Sequence, residues 1–429
     1  MPTTPLLQVI IAALVLVLIQ VAAAVPWAHA FDGRPFKKWI ADATVLSYLA
    51  GITVGGAVVL GWYLKQVSEL SELERYGRYF GSVFHVQLIL DFIILAPRLL
   101  VLISPKAGAV AIAALRESLR QPMFWLIFGL ASLLIAVSMV IPYFTLGEDY
   151  KLMKQVGFDA VMLFSALFGL LAASISVNEE IEGRTAITVI SKPVSRRQFF
   201  IGKYLGILLA CWVMTMLLGW VLTWALHLKP RFDPLDDAID PMPMEIAKWV
   251  APKVDSIVSS PPRIVKRLAP KANWAAGTAE GSAFARGFGT WMGETAAHHI
   301  GLFRVFGQVM IMLAICTALA TRVQFIVNLV ICLGIFLIGN LSPILVHVTQ
   351  KPENEGNAAL QLVSFIAQLF NAVFPALDSF DMGPAIIRDT PLATSSFVGF
   401  VMTVMTYTVL YVGIAILSGL LLFEYRDLA

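Results

Sequence analysis

Long runs of apolar residues, separated by short charged loops, recur from one end of this chain to the other. A helix that spans a bilayer needs about twenty mostly apolar residues. Nine runs satisfy this length: Leu6–Val25, Thr44–Leu64, Gly81–Ile103, Met123–Tyr143, Gly157–Val177, Tyr204–His227, Leu302–Thr321, Phe325–Val346 and Phe397–Phe423. The pattern predicts an all-α integral membrane protein, a polytopic helical bundle with about nine spans.

Three segments depart from this pattern. Phe365–Ala376 is apolar but too short to span, which favours a re-entrant or interfacial helix. Ala107–Gln121 mixes apolar and charged residues and stops at Pro122, a pattern typical of an amphipathic helix in the membrane interface. Leu228–Ile300 is rich in proline, so we expect irregular structure with short helices.

The composition agrees with a membrane environment. The chain is 58% hydrophobic and 14% charged, whereas soluble domains contain about 25% charged residues. Because of this apolar composition, we expect the chain to lie in a lipid bilayer. Its net charge of +3 is too small to indicate nucleic-acid binding. The three cysteines, Cys211, Cys316 and Cys332, lie in apolar runs and fit neither a zinc site nor a disulfide framework. We expect free thiols that pack as small hydrophobic groups.

Basic residues in the short loops predict the orientation of the spans. The loop Asn178–Lys203 and the region around Ala107–Gln121 are both rich in lysine and arginine, which places them on the cytoplasmic side. Counting spans from there puts the C-terminus inside, and puts Leu228–Ile300 and the N-terminus outside. The expected location is the inner (cytoplasmic) membrane of a cell, with several passes.

The loop Asn178–Lys203 has an internal order that can be interpreted from local physics. Gly183 can end the preceding helix, and Pro193 prevents simple continuation of any helix that follows. Ser195-x-x-Gln198 is a capping box ahead of a long apolar run. These features predict a short surface helix over Thr185–Ser191, a turn at Pro193 and a new helix. A cytoplasmic loop that only fixes topology would account for the same features.

Three stretches of this loop resemble a known family. They are Glu-Ile-Glu-Gly-Arg-Thr (180–185), Ser-Lys-Pro-Val-Ser-Arg-Arg-Gln-Phe (191–199) and Gly-Lys-Tyr-Leu-Gly (202–206), and they are similar to the permease subunit of ABC transporters of the ABC-2 type. Within that group they most resemble permeases of the multicopper-oxidase-maturation kind. The resemblance runs from Ala107 to the C-terminus and includes Phe374–Phe380 and Phe423-x-x-Arg426-Asp427.

The resemblance implies a division of the chain. Residues 1–106 would be three extra N-terminal transmembrane helices, and residues 107–429 a six-span ABC-2 type permease core. Residues 228–300 would then be an extracytoplasmic insertion into that core. The resemblance says nothing about the role of the N-terminal helices or of the insertion.

The resemblance also implies a function: the membrane-spanning permease subunit of an ATP-driven exporter. Two permease subunits would pair as a homo- or heterodimer, and each would dock on a separate ATP-binding subunit through the cytoplasmic loop. The residues implied at that contact are Glu179, Glu180, Glu182, Gly183, Arg184, Thr185, Lys192, Pro193, Ser195, Arg196 and Arg197. No catalytic residue or cofactor is expected on this chain, because ATP and Mg would be bound by the partner subunit.

The sequence itself argues against an ATP-hydrolysing site. A P-loop needs Gly-x-x-x-x-Gly-Lys followed by Ser or Thr, whose backbone amides surround the phosphates. The Gly202-Lys203 pair is followed by Tyr204, and Arg197 stands where the first glycine should be. We therefore expect no enzyme here, and ATP hydrolysis on another polypeptide.

Other candidate sites give weaker indications. Asp91 lies in an apolar span, where a charge is costly and by default suggests function. A substrate role and a structural contact with Arg98, His85 or another helix are equally open. Glu294, His298 and His299 could place metal ligands on one helix face, but a solvated or interfacial face is the favoured interpretation. The series Gly51, Gly55 and Gly56 could seat a packed helix or a dimer contact.

A second function remains open. A membrane assembly or scaffold protein that moves no substrate could use its large outer loop to bind a partner. A third hypothesis is a metal-dependent enzyme built on Glu294, His298 and His299. The chain contains no pattern that indicates a substrate.

Overall fold

The computed structural model describes residues 6–67, 69–143, 149–182, 194–232, 252, 256, 279–349, 358–380 and 394–425. Within these ranges every regular element is helical, which confirms the predicted all-α class. The helices are α1 (Leu6–Ala30), α2 (Phe36–Ile40), α3 (Ala43–Gln66), α4 (Leu70–Ile103), α5 (Pro105–Arg120), α6 (Pro122–Val140), α7 (Asp149–Glu182), α8 (Arg196–Leu228), α9 (Ala279–Ala320), α10 (Phe325–Thr349), α11 (Ala358–Val373) and α12 (Thr394–Glu424). Two 3₁₀ turns cover Lys229–Arg231 and Leu377–Phe380.

Nine helices of the described part are long and apolar enough to cross a bilayer: α1, α3, α4, α6, α7, α8, α9, α10 and α12. Large apolar side chains on them are exposed, such as Leu126 at 72% and Val409 at 65%. In water this surface would be unfavourable, whereas lipid chains solvate it. The chain is therefore a multi-pass membrane protein, as the apolar runs predicted.

The shorter helices compare well with the sequence pattern. The predicted amphipathic helix is observed as α5, which ends at Arg120, and Gln121 alone separates it from Pro122, the first residue of α6. Proline suits that first position because its missing N–H would have no partner there in any case. The short apolar run before the last span lies mostly in α11, which starts earlier than predicted, at Ala358.

The last part of Leu228–Ile300 departs from its prediction. We expected irregular structure with short helices over Leu228–Ile300, but Ala279–Ala320 is one continuous helix of 42 residues. The reason lies in the position of the prolines, which end at Pro270. From Ala279 onward nothing removes a backbone N–H, so the helix of the following span extends backwards.

The contacts divide the chain into two units, Met1–Ala96 with Asp240–His298, and Pro97–Ile239 with His299–Ala429. In the first unit α1 packs along α3, and a Cβ added at Gly61 would lie 3.0 Å from Ile10 Cα. The side chains of Leu73 and Phe284 share a buried core in the same unit. Two stretches that are far apart in the sequence, around Leu73 and around Phe284, thus share one core in the first unit. The predicted domain boundary at residue 106 stays a prediction.

The second unit is organised around α8. This helix packs against α5, α6, α7 and α12, and many of its residues are fully buried, including Ile207, Cys211 and Leu218. The three cysteines are free and buried, as predicted. Because α8 begins directly after the charged loop, its contacts connect that loop to α5, α6, α7 and α12.

Candidate functional site

The charged loop lies between the end of α7 and the start of α8. Glu179, Glu180 and Glu182 belong to the last turns of α7, and Ser195 precedes the first residue of α8. Gly183, Arg184, Thr185, Lys192 and Pro193 lie outside the described residues, as does the predicted helix Thr185–Ser191. The site is therefore described from its two flanks.

Ser195 fixes where α8 begins. Its Oγ accepts a hydrogen bond from Gln198 N at 3.2 Å, and Ser195 N donates to Gln198 Oε1 at 3.0 Å. These two bonds form the predicted capping box and satisfy two of the N–H groups that a helix start leaves without partners. The prediction of a clean restart after the loop is confirmed.

Arg196 and Arg197, the first two residues of α8, contact the end of the last helix. Arg196 Nη1 donates to the carbonyl oxygen of Glu424 at 3.0 Å, and Arg197 Nη2 lies 3.2 Å from Glu424 Oε2. From the end of α9, Arg322 Nε donates to Leu422 O at 2.8 Å. The last carbonyls of a helix have no partners within the helix and carry partial negative charge, so cations bind them well. We call these three residues the arginine clamp.

The loop flanks are also joined to α5 by a buried cation. Lys203 Nζ donates to Glu117 Oε2 at 3.0 Å and to Ser176 Oγ at 2.8 Å. Ser176 Oγ in turn donates to Glu117 Oε1 at 3.0 Å. The side chain of Lys203 is only 4% exposed, and a charge at that depth is tolerated because it is paired and hydrogen-bonded. We call these three residues the Lys203 cluster; it connects α5, α7 and α8.

Two glycines of α8 bring α5 close enough for this cluster to form. A Cβ at Gly202 would lie 2.7 Å from Ala107 O, and a Cβ at Gly206 would lie 2.5 Å from Ala111 O. Neither distance leaves room for a methyl group, so the backbones of α5 and α8 are in direct contact. The stretch Gly-Lys-Tyr-Leu-Gly thus contains two glycines against which α5 packs and the lysine that binds Glu117.

Several further candidates from the sequence lie in the first unit. The carboxylate Oδ1 of Asp91 is buried and has no hydrogen-bond partner among the residues that the structure describes. Gly51 and Gly55 have open space where a Cβ would stand, and Gly56 faces the side chain of Val17. Within the described ranges, this glycine series therefore seats a helix only at Gly56.

The region around Glu294 is a structural contact. Arg78 Nη1 lies 3.1 Å from Glu294 Oε1, and Glu294 and His298 are 3% and 1% exposed. Of the favoured interpretation, a solvated or interfacial face, the solvated face was wrong for these two residues, because the helix extends into a buried contact with α4. No group of three potential metal ligands occurs in the described part of the chain.

The comparison with known families gives a match at this site. Residues 119–251 match the model of a family described as ABC-2 family transporter protein. The matched range starts at the end of α5 and includes α6, α7, the charged loop and α8. A comparison with curated proteins found no match. The resemblance to ABC-2 type permeases is confirmed, and the relation to the multicopper-oxidase-maturation kind stays a prediction.

Proposed function

Since this chain carries an ABC-2 transporter membrane domain, we propose that it is the permease subunit of an ABC exporter in the cytoplasmic membrane. It would dock through the loop between α7 and α8 on a separate ATP-binding subunit, which would hold ATP and Mg. A second permease subunit would complete the transporter. The family match carries this proposal, because it includes both helices that flank the loop.

The contacts of the two flanks support a mechanical role for the loop. The Lys203 cluster ties α5 to both flanking helices, and the arginine clamp ties the start of α8 to the end of α12. A displacement of the loop by the partner subunit would therefore reach α5, α7, α8 and α12 together. Residues of this chain do no chemistry on ATP; they hold helices in register with the loop.

Charge complementarity gives the loop a way to recognise its partner. Within Asn178–Lys203, three acidic residues come first and three basic residues follow. The acidic residues are Glu179, Glu180 and Glu182, and the basic residues are Lys192, Arg196 and Arg197. Such an arrangement favours one docking orientation over others, since like charges would oppose each other in the wrong one. The side chain of Arg197 is 67% exposed, so it is accessible to a partner while it contacts Glu424.

The test is co-purification of an ATP-binding subunit with variants of the clamp. Changing both Arg196 and Arg197 to Glu should remove the partner from the purified complex. This double variant also weakens the contact with α12, so Arg322→Glu serves as the matched control. Arg322 contacts the same helix end but lies outside the loop.

The two variants separate the possible results. Loss of the partner in the double variant with retention in Arg322→Glu supports docking at the loop. Equal loss in both would mean that the end of α12, not the loop, carries the association. Retention in both, or a wild-type chain that never co-purifies with a Walker-motif protein, would contradict the proposal and favour a scaffold that moves no substrate.

A further inference from the structure

The exposed side of α5 is cationic where this helix meets α6. Arg116 and Arg120 are one helical turn apart, so they project from the same face, and both are exposed. Gln121 alone separates α5 from α6. The two guanidinium groups therefore lie beside the first turn of a membrane span.

A shallow cavity of about 650 Å³, wide open to the surface, lies at this junction. Its lining residues are Ala113, Arg116, Glu117, Arg120, Gln121 and Pro122. The side-chain oxygen Oε1 of Gln121 is buried and has no hydrogen-bond partner among the described residues. An amide oriented the other way would present two N–H donors at the same point. The cavity is thus lined by two cationic side chains and by one amide whose oxygen has no hydrogen-bond partner among the described residues.

The one acidic residue of the lining is already neutralised. Glu117 Oε2 accepts a hydrogen bond from Lys203 Nζ at 3.0 Å, and Glu117 Oε1 accepts one from Ser176. Its charge is therefore balanced by Lys203, and the two arginines leave the cavity with an excess of positive charge. An anion is the complementary ligand.

The first turn of α6 places the cavity at the membrane interface. Trp125 and Leu126 are 57% and 72% exposed, and tryptophan is enriched at the level of lipid headgroups. Because α6 crosses the bilayer from Pro122 onward, a ligand in the cavity would sit beside the headgroup layer with apolar surface directly below it. Cations at the depth of the lipid headgroup phosphates, with an apolar helix surface directly below them, fit a lipid better than a free anion.

We propose that this cavity binds the headgroup phosphate of an anionic phospholipid, with Arg116 and Arg120 as its ligands. Guanidinium groups pair with phosphate through two parallel N–H bonds, so two of them on one face form a suitable seat. The acyl chains would follow the exposed apolar surface of α6. The site does not depend on the transport function and would exist in a scaffold protein as well.

The direct test is native mass spectrometry of the full-length chain in detergent, titrated with phosphatidylglycerol or phosphatidylcholine. We expect retention of phosphatidylglycerol and little of phosphatidylcholine. The variant Arg116→Gln with Arg120→Gln should bind phosphatidylglycerol about thirty-fold more weakly, since each basic residue contributes about 1 kcal/mol to binding of anionic lipid. Lys37→Gln with Lys38→Gln removes the same charge from exposed residues of α2 and should bind like the wild type.

Variants of the Lys203 cluster test the role of Glu117. Lys203→Met leaves the carboxylate uncompensated beside the cavity and should weaken lipid binding, whereas Glu117→Gln should leave it equal or stronger. Size-exclusion chromatography checks that both variants fold, because Glu117→Gln leaves buried Lys203 without its charge partner; if one variant fails this check, the other decides the point. Weaker binding by Glu117→Gln would overturn the proposed charge balance.

Two further results would overturn the site itself. Equal retention of both lipids, or unchanged binding after loss of both arginines, would show that the cavity does not recognise the headgroup. Displacement of phosphatidylglycerol by an equal concentration of inorganic phosphate would indicate a free-anion site. Loss of a co-purifying ATP-binding subunit without any change in lipid binding would assign these arginines to protein docking.

Discussion

Arg197 Nη2 lies 3.2 Å from Glu424 Oε2, so the first turn of α8 is paired with the last turn of α12. The two side chains are 67% and 49% exposed, and an ion pair of this kind contributes little free energy in water. The stronger link runs through Arg196, whose guanidinium meets the helix-end carbonyl of Glu424 at 3.0 Å. The pair positions two helix ends without holding the protein together.

Glu424→Gln should therefore have a small effect. We expect the free energy of unfolding to fall by less than about 1 kcal/mol, because the arginine–carbonyl bonds of the clamp remain. Thermal unfolding of the purified chain in one detergent, compared with wild type, measures this. A large loss of stability would contradict the small contribution expected of this exposed ion pair.

The seat of α5 on α8 should be sensitive to added volume. Gly206→Val places atoms where Ala111 O already lies, so we expect destabilisation by about 1–3 kcal/mol or loss of α5 docking. Gly129→Val is the matched control, since a Cβ at Gly129 meets nothing within 4 Å. Melting temperatures of both variants should differ clearly; equal values would show that the close approach is not required.

Breaking the Lys203 cluster should cost more than losing a surface pair. Lys203→Met removes a buried cation and leaves Glu117, whose side chain is 39% exposed, without its charge partner. We expect a loss of about 1–3 kcal/mol, below the value for a fully buried pair because water reaches Glu117. A double-mutant cycle with Glu117→Gln isolates the pairwise contribution. A coupling energy near zero would contradict the cluster.

The connection between α1 and α3 should respond to acid. The hydrogen bond from the Arg34 side chain holds the pKa of Asp32 below its usual range, and the same arginine, together with Thr44 N at 2.8 Å, lowers the pKa of Asp42. Carboxylates with a depressed pKa in the fold stabilise it above the pKa of the unfolded chain, near 3.9. That contribution is lost as the pH falls through the lower value in the fold.

Hydrogen exchange of residues 31–44, corrected for intrinsic rates, measures this response. Protection should be constant between about pH 7 and pH 5 and should decrease below about pH 4. Arg34→Gln should exchange faster at pH 6 and show a smaller dependence on pH. Equal protection at pH 6 and pH 3 in the wild type would mean that the arginine does not stabilise this connection.

The sequence predicted the parts that depend on local patterns. Apolar runs identified the spans, because the energy of burying them in lipid is a property of each run alone. The capping box Ser195-x-x-Gln198 predicted the start of α8, because all its atoms lie within four residues. The family resemblance came from residues that are adjacent in sequence, and the docking site at the loop stays a prediction.

The remaining contacts depend on distances that a pattern does not encode. Lys203 and Glu117 are 86 positions apart, and Arg197 and Glu424 are 227 apart. Gly51 and Gly55 had the same spacing as Gly202 and Gly206, yet the described structure packs a helix against the second pair only. The Gly-x-x-x-Gly spacing indicates where a second helix could pack, and the neighbouring helices of the fold determine which of these positions is used. The polar residues in the first part of α9 interrupt its apolar pattern, so the predicted span began at Leu302 although the helix begins at Ala279.

Photo-crosslinking in intact cells, with a photoreactive amino acid in place of Lys192, tests most directly whether the loop docks on an ATP-binding subunit. The same substitution of Phe232, beyond the opposite end of α8, is the control. We expect position 192 to form an adduct with a protein carrying Walker motifs and position 232 to form none. An adduct of that protein from position 232 alone, or from neither position, would contradict it.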